Sequence, residues 1–148
     1  MQAMEISRTG MDVEWRRLEV IADNLANANT VLTATGAAYQ PRRLISGPRG
    51  DFAALLNAAA PDGGKSAGRI SGGVAVYSIE AVSAPPRMVR EPANPQANEK
   101  GFVAYPAIDH AAEMTLMVKT SRVYEANIVA MNMARQMYSK ALELGRRA

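Results

Sequence analysis

The sequence predicts a mainly α fold: long N- and C-terminal helices paired as a coiled-coil-like core domain, with a small β-rich insert between them. Three observations predict it. Apolar residues recur every seven positions at both ends of the 148-residue chain. All eight prolines and nine of the eleven glycines fall between Thr30 and Ile108, where they break helices and shape turns. Aromatic residues number only eight, too few for a large all-β core.

The first helix rests on the series Met4, Met11, Leu18 and Leu25, with Trp15, Ile21 and Ala22 widening the same face. Glu14, Arg16, Arg17, Glu19 and Asp23 lie mostly elsewhere. The pattern spans roughly 25 residues, ~37 Å at the α-helical rise. It should fray into Asn27-Ala28-Asn29-Thr30, because asparagine tolerates turn dihedrals and bonds to its own backbone.

The insert, residues 31–108, contains strand-like runs at Tyr39–Ser46, Val74–Val82, Arg87–Arg90 and Phe102–Tyr105. Ala53–Ala60 reads as a short helix, and residues 61–73 as a flexible Gly/Ser/Lys loop.

The last helix carries the strongest signal. Met114, Met117, Ser121, Tyr124, Ile128, Met131, Arg135, Tyr138 and Leu142 step by three and four, a heptad seam. Leu116, Val123, Ala130, Met137 and Leu144 form a second apolar series. Two stripes need contacts on two sides, and one N-terminal helix covers only one of them. Asp109 suits the N-cap, while Gly145 followed by Arg146 and Arg147 suits the stop. Residues 1–30 and 109–148 thus form the expected core domain.

Composition excludes several functions. There is no cysteine, so disulfides, thiolate catalysis and cysteine metal sites are ruled out. The net charge of +3 comes from scattered arginine pairs, among them Arg16–Arg17 and Arg42–Arg43. That is not the basic stripe of a nucleic-acid binder; an arginine-rich, lysine-poor surface suits a protein interface better. No run of about 18 apolar residues would span a membrane. The first thirty residues carry Glu5, Asp12, Glu14 and Glu19 without an apolar stretch, so no cleavable secretory leader is expected.

Chemistry is equally sparse. His110 is the single histidine, without a second ligand or catalytic partner in view. Gly63-Gly64-Lys65-Ser66 mimics the end of a phosphate-binding loop, but Ala59 stands where its first glycine belongs. The helix methionines read as core and interface filler. The expectation is no catalytic residue, no cofactor, no metal and no small-molecule substrate.

Specific strings go further. Ile21-Ala22-Asp23-Asn24-Leu25-Ala26-Asn27-Ala28-Asn29-Thr30 resembles the N-terminal signature of bacterial flagellar rod, hook and hook-associated proteins. Ser121-Arg122-Val123-Tyr124-Glu125-Ala126-Asn127, with Met131-Asn132 and Leu142-Glu143-Leu144-Gly145, is similar to the C-terminal helix of that family. The extension from Thr30 to Tyr39, followed by Arg42–Arg43, resembles the C-type proximal rod branch. So does the stretch from Glu91-Pro92-Ala93-Asn94-Pro95-Gln96 to Gly101-Phe102-Val103-Ala104-Tyr105-Pro106. Ala81 and Ala107 stand where the family usually has Asp and Asn, and residues 47–72 match nothing in it.

The resemblance implies a structural, non-enzymatic subunit of the proximal rod, polymerising through its terminal helices into the periplasmic drive shaft that transmits torque. It implies export without a cleaved leader, through the flagellar export apparatus. The implied partners are copies of itself, other rod subunits, and components of the inner membrane ring and export gate. The residues expected to form helix core or subunit interface are Leu18, Ile21, Leu25, Asn27, Asn29, Thr30, Met117, Val123, Tyr124, Asn127, Ile128, Met131, Met137 and Leu144. The alternative is a soluble helical adaptor or secretion chaperone of the export system, which would use the same amphipathic ends on a client.

Overall fold

The computed structural model describes residues 2–31, 38–50 and 72–146. Its elements, in order, are α1 (Gln2–Ala26), β1 (Arg42–Pro48), β2 (Val74–Ala81), β3 (Arg87–Arg90), β4 (Phe102–Tyr105) and α2 (His110–Gly145). Two terminal helices therefore flank a small β region, as expected. The short helix over Ala53–Ala60 and most of the loop at 61–73 lie outside the described residues.

α1 packs along α2. Asn127 lies against Gly10, where an added Cβ would stand 2.9 Å from its Oδ1. The rings of Trp15 and Tyr124 are 6.3 Å apart, and Ile21 shares a cavity with Leu116 and Thr120. Numbers rise on one helix as they fall on the other, so the pair is antiparallel. The Asp109 side chain caps α2, accepting from the N–H groups of Ala111 at 2.9 Å and Ala112 at 3.2 Å. These are two of the donors that every helix start leaves without intrahelical partners.

The line of closest approach differs from the apolar seams read in the sequence. α1 buries Ser7, Thr9, Val13, Glu14, Val20, Ile21 and Asn24, and α2 buries Glu113 and Thr120. Met4, Met11, Leu18 and Leu25 run beside that face, half-buried. Small and polar side chains occupy the centre because α1 is wedged between α2 and the β1–β2 hairpin, and short side chains let three elements approach one helix.

β1 and β2 pair antiparallel, from Arg42 opposite Ala81 to Pro48 opposite Val74, with a bulge between Ile45 and Ser46. The bulge leaves Tyr77 as the extra residue. Its ring covers Gly47, where a Cβ would meet the ring at 2.6 Å, and its hydroxyl donates to the Pro48 carbonyl at 2.6 Å. Gly73 takes φ +125°, a region L-residues avoid, and a Cβ there would meet the Thr9 hydroxyl at 2.5 Å. The Thr9 hydroxyl oxygen then accepts from the Val74 N–H at 3.1 Å.

β3 and β4 form a second antiparallel hairpin, Arg87 opposite Tyr105. Its connection is organised by Asn98, whose side-chain oxygen accepts from the N–H groups of Lys100 at 3.0 Å and Phe102 at 2.9 Å. Val103 is fully buried there. Tyr105 donates to Glu91 at 3.0 Å, and that bond pushes its phenol pKa up.

Candidate subunit interface

One buried side chain of α1 makes three hydrogen bonds to the insert. Asn24 is 0% exposed. Its Nδ2 donates to the Arg42 carbonyl at 2.9 Å, and its Oδ1 accepts from the Arg42 N–H at 2.9 Å and the Tyr39 hydroxyl at 3.1 Å. The amide thus pairs with β1 as a neighbouring strand would. Three residues on, Asn27 closes the helix: its Nδ2 donates to the Asp23 carbonyl at 2.8 Å and its Oδ1 accepts from the Thr30 hydroxyl at 3.3 Å. Asn29 is exposed. The Asn-rich end of the signature is therefore a turn and an anchor, and Asn24 is the residue the sequence reading passed over.

Charge ties the same elements together. Arg17 binds Glu14 at 2.8 Å and donates to Ser46 of β1 at 3.0 Å. Arg43 of β1 pairs with Glu113, a 2% exposed carboxylate whose Oε2 has no partner. On the outer side of α1, Arg8 bridges Glu5 at 2.7 Å and Asp12 at 3.3 Å. The hydrogen bond from Arg8 holds the Glu5 carboxyl below its ordinary pKa.

The predicted interface residues divide into two groups. Ile21 is buried, while Leu18, Leu25, Met117, Tyr124, Asn127, Ile128 and Met131 are half-buried beside the helix contact, as are Asn27 and Thr30 in the turn. Val123, Met137 and Leu144 are exposed, at 40%, 73% and 70%. Past Ala134 the character of α2 changes: every residue from Arg135 to Arg146 is exposed. The antiparallel register explains it. With Gly10 beside Asn127, α1 begins near Arg135, and the last eleven positions of α2, ~16 Å of helix, have no α1 beside them.

That projecting end is apolar. Met137, Tyr138, Leu142 and Leu144 are all among the exposed large side chains. Upstream, Val129 at 56% and Met133 at 61% continue the line of Met137 and Leu144 on the side turned away from α1. Among the described residues the buried aliphatic side chains are Val13, Val20, Ile21, Ala28 and Val103, against seventeen large apolar ones exposed. A monomer of this size rarely leaves so much apolar surface bare unless that surface meets another molecule.

Among the described residues, no three His, Asp or Glu side chains gather as a metal site. Among the described residues, no helix is long and apolar enough to cross a membrane either. His110 is exposed at the start of α2, in an open groove with Asn29, Arg87 and Asp109.

Comparisons with known proteins fit this arrangement. Residues 4–31 match the model of the flagella basal body rod protein family, and residues 99–144 that of the flagellar basal body rod FlgEFG protein C-terminal region. The first match covers nearly all of α1, and the second covers β4 and nearly all of α2. Over 98% of its length the chain is 33% identical to the flagellar basal-body rod protein FlgC of Salmonella typhimurium, covering 97% of that protein. FlgC of Borreliella burgdorferi is 32% identical over 96% of the chain and 95% of its own length. FlgC of Bacillus subtilis is 30% identical, with 97% of both chains covered. Alike in both terminal helices and across nearly the whole chain, this protein belongs to the flagellar basal-body rod protein family.

Proposed function

We propose that the chain polymerises into the proximal rod through its terminal helices, and that the bare side of α2 is the surface on which neighbouring subunits pack. The protein is a structural subunit of the flagellar basal-body rod, not an enzyme, and assembles with other rod subunits. The observation that carries the packing surface is the exposure of every residue from Arg135 to Arg146, Met137 and Leu144 among them. In this reading residues 1–30 and 109–148 make the core domain by coiled-coil-like pairing, and residues 31–108 form the insert held on it by Asn24.

A contact between the projecting end of one α2 and a different surface of the next subunit is heterologous, and heterologous contacts that do not close into a ring extend into a filament. Packing α2 on two sides would make the shaft stiff enough to transmit torque in the periplasm. Export through the flagellar export apparatus, and contacts with the inner membrane ring and export gate, complete the proposal. The test is fractionation: the subunit should co-purify with detergent-washed basal bodies. Recovery only from the cytosol would favour an adaptor or secretion chaperone.

A further inference from the structure

One cavity borders the second apolar series of α2 at Leu116 and Val123. It sits where α1, β1 and α2 meet and encloses about 250 Å³. That is below the ~300–1,000 Å³ of typical small-molecule sites, and it has room for one or two side chains. Its floor is apolar, formed by Ile21, Leu44, Leu116 and Val123. Its rim is basic: Arg17, Arg42, Arg43 and Lys119, with Glu14 the lone acid in the lining.

Three of these bases are already held in place. Arg17 is fixed by Glu14, Arg42 by Asp23 at 3.1 Å, and Arg43 by Glu113. A guanidinium has five N–H donors, so each keeps donors to spare, and Arg42 and Arg43 both remain 46% exposed. Lys119 is exposed and has no ion-pair partner among the described residues. Side chains immobilised before binding lose little entropy when a ligand arrives, and arginine suits planar, two-point recognition of carboxylates.

We propose that this cavity is a docking site for a segment of another protein that presents an apolar side chain flanked by carboxylates. The apolar floor takes the side chain and the four bases take the flanking acids. A bare phosphate or a nucleic-acid backbone would leave the floor unfilled. A second copy of this chain, with net charge +3, brings more base than acid to the rim. The inference goes beyond the rod reading and does not need it.

The test uses the full chain and a fluorescein-labelled peptide alternating leucine and glutamate, read by anisotropy. Two variants carry the same change in net charge: K119E at the rim, and K140E on the projecting end of α2. Both lysines are exposed, and retained helicity by circular dichroism checks the fold of each variant. Saturable binding is expected, weakened about tenfold by K119E and changed less than about twofold by K140E, because only the rim charge meets the ligand. The corresponding leucine–lysine peptide should not compete. Absence of saturable binding overturns the proposal, as do equal losses in both variants, equal competition by a serine–glutamate peptide, or displacement by inorganic phosphate. A wild-type dimer that K119E dissociates would overturn it too, since the occupant would then be a second copy.

Discussion

Asn24 shows how much one polar side chain can organise. Replacing it with alanine would leave the Arg42 N–H and carbonyl without this partner in a half-buried place, at a cost of about 1–3 kcal/mol. Urea unfolding of N24A should register that loss, whereas N29A, at an exposed position, should stay within about 0.5 kcal/mol of wild type. Gly10 is the steric counterpart. A Cβ there already meets the Asn127 side chain at 2.9 Å, so G10V must displace that side chain from its bond to the Val123 carbonyl and should lower stability by about 1–3 kcal/mol. A third prediction concerns Tyr105. Its pKa is raised, first by its hydrogen bond to Glu91, so the bond stabilises the fold below the phenol's ordinary pKa. That stability is lost as pH rises through the folded value. NMR titration of Tyr105 should therefore give a midpoint above the ordinary phenol value, and E91Q should bring it down; an unchanged midpoint would contradict the hydrogen bond. None of these residues could be found from hydropathy. Asn24, Glu113 and Thr120 are polar side chains on buried faces, and periodicity arguments count only apolar ones.

At the scale of elements, the helices and the second hairpin were legible. The Asp109 cap and the stop at Gly145 were in place, and β3 and β4 have the bounds read from the sequence. β1 is shifted, and the reasons are tertiary. Its start at Arg42 is set by the Asn24 clamp, and its bulge lets Gly47 and Pro48 continue pairing with Ala75 and Val74 beyond Ser46. The sequence put the two apolar series of α2 on two sides, with α1 covering one of them. The helix contact centres on Glu113 and Thr120, between the series, because the hairpin shares α1 and fixes how it is turned. The register makes a prediction about α2 alone. In a verified monomer, amide exchange should be slow over the stretch beside α1, up to Ala134, and fast from Arg135 onward, since opening of an unpacked helix end costs little. Equal protection through Leu144 would show that the end is packed within the monomer.

For the whole molecule, the central claim is that subunits join through the apolar side of α2 that α1 leaves bare. Replacing Met137 and Leu144 with glutamate should scarcely change the monomer, because both side chains are at least 70% exposed. Between subunits the same carboxylates would be buried without partners, each at a cost of several kcal/mol. A polymer repeats that cost at every contact. The most direct measurement is to express M137E/L144E in a strain lacking the native subunit, then quantify secreted protein and count rods extending past the inner ring. The account predicts normal secretion with no rods; rods in wild-type numbers would contradict it.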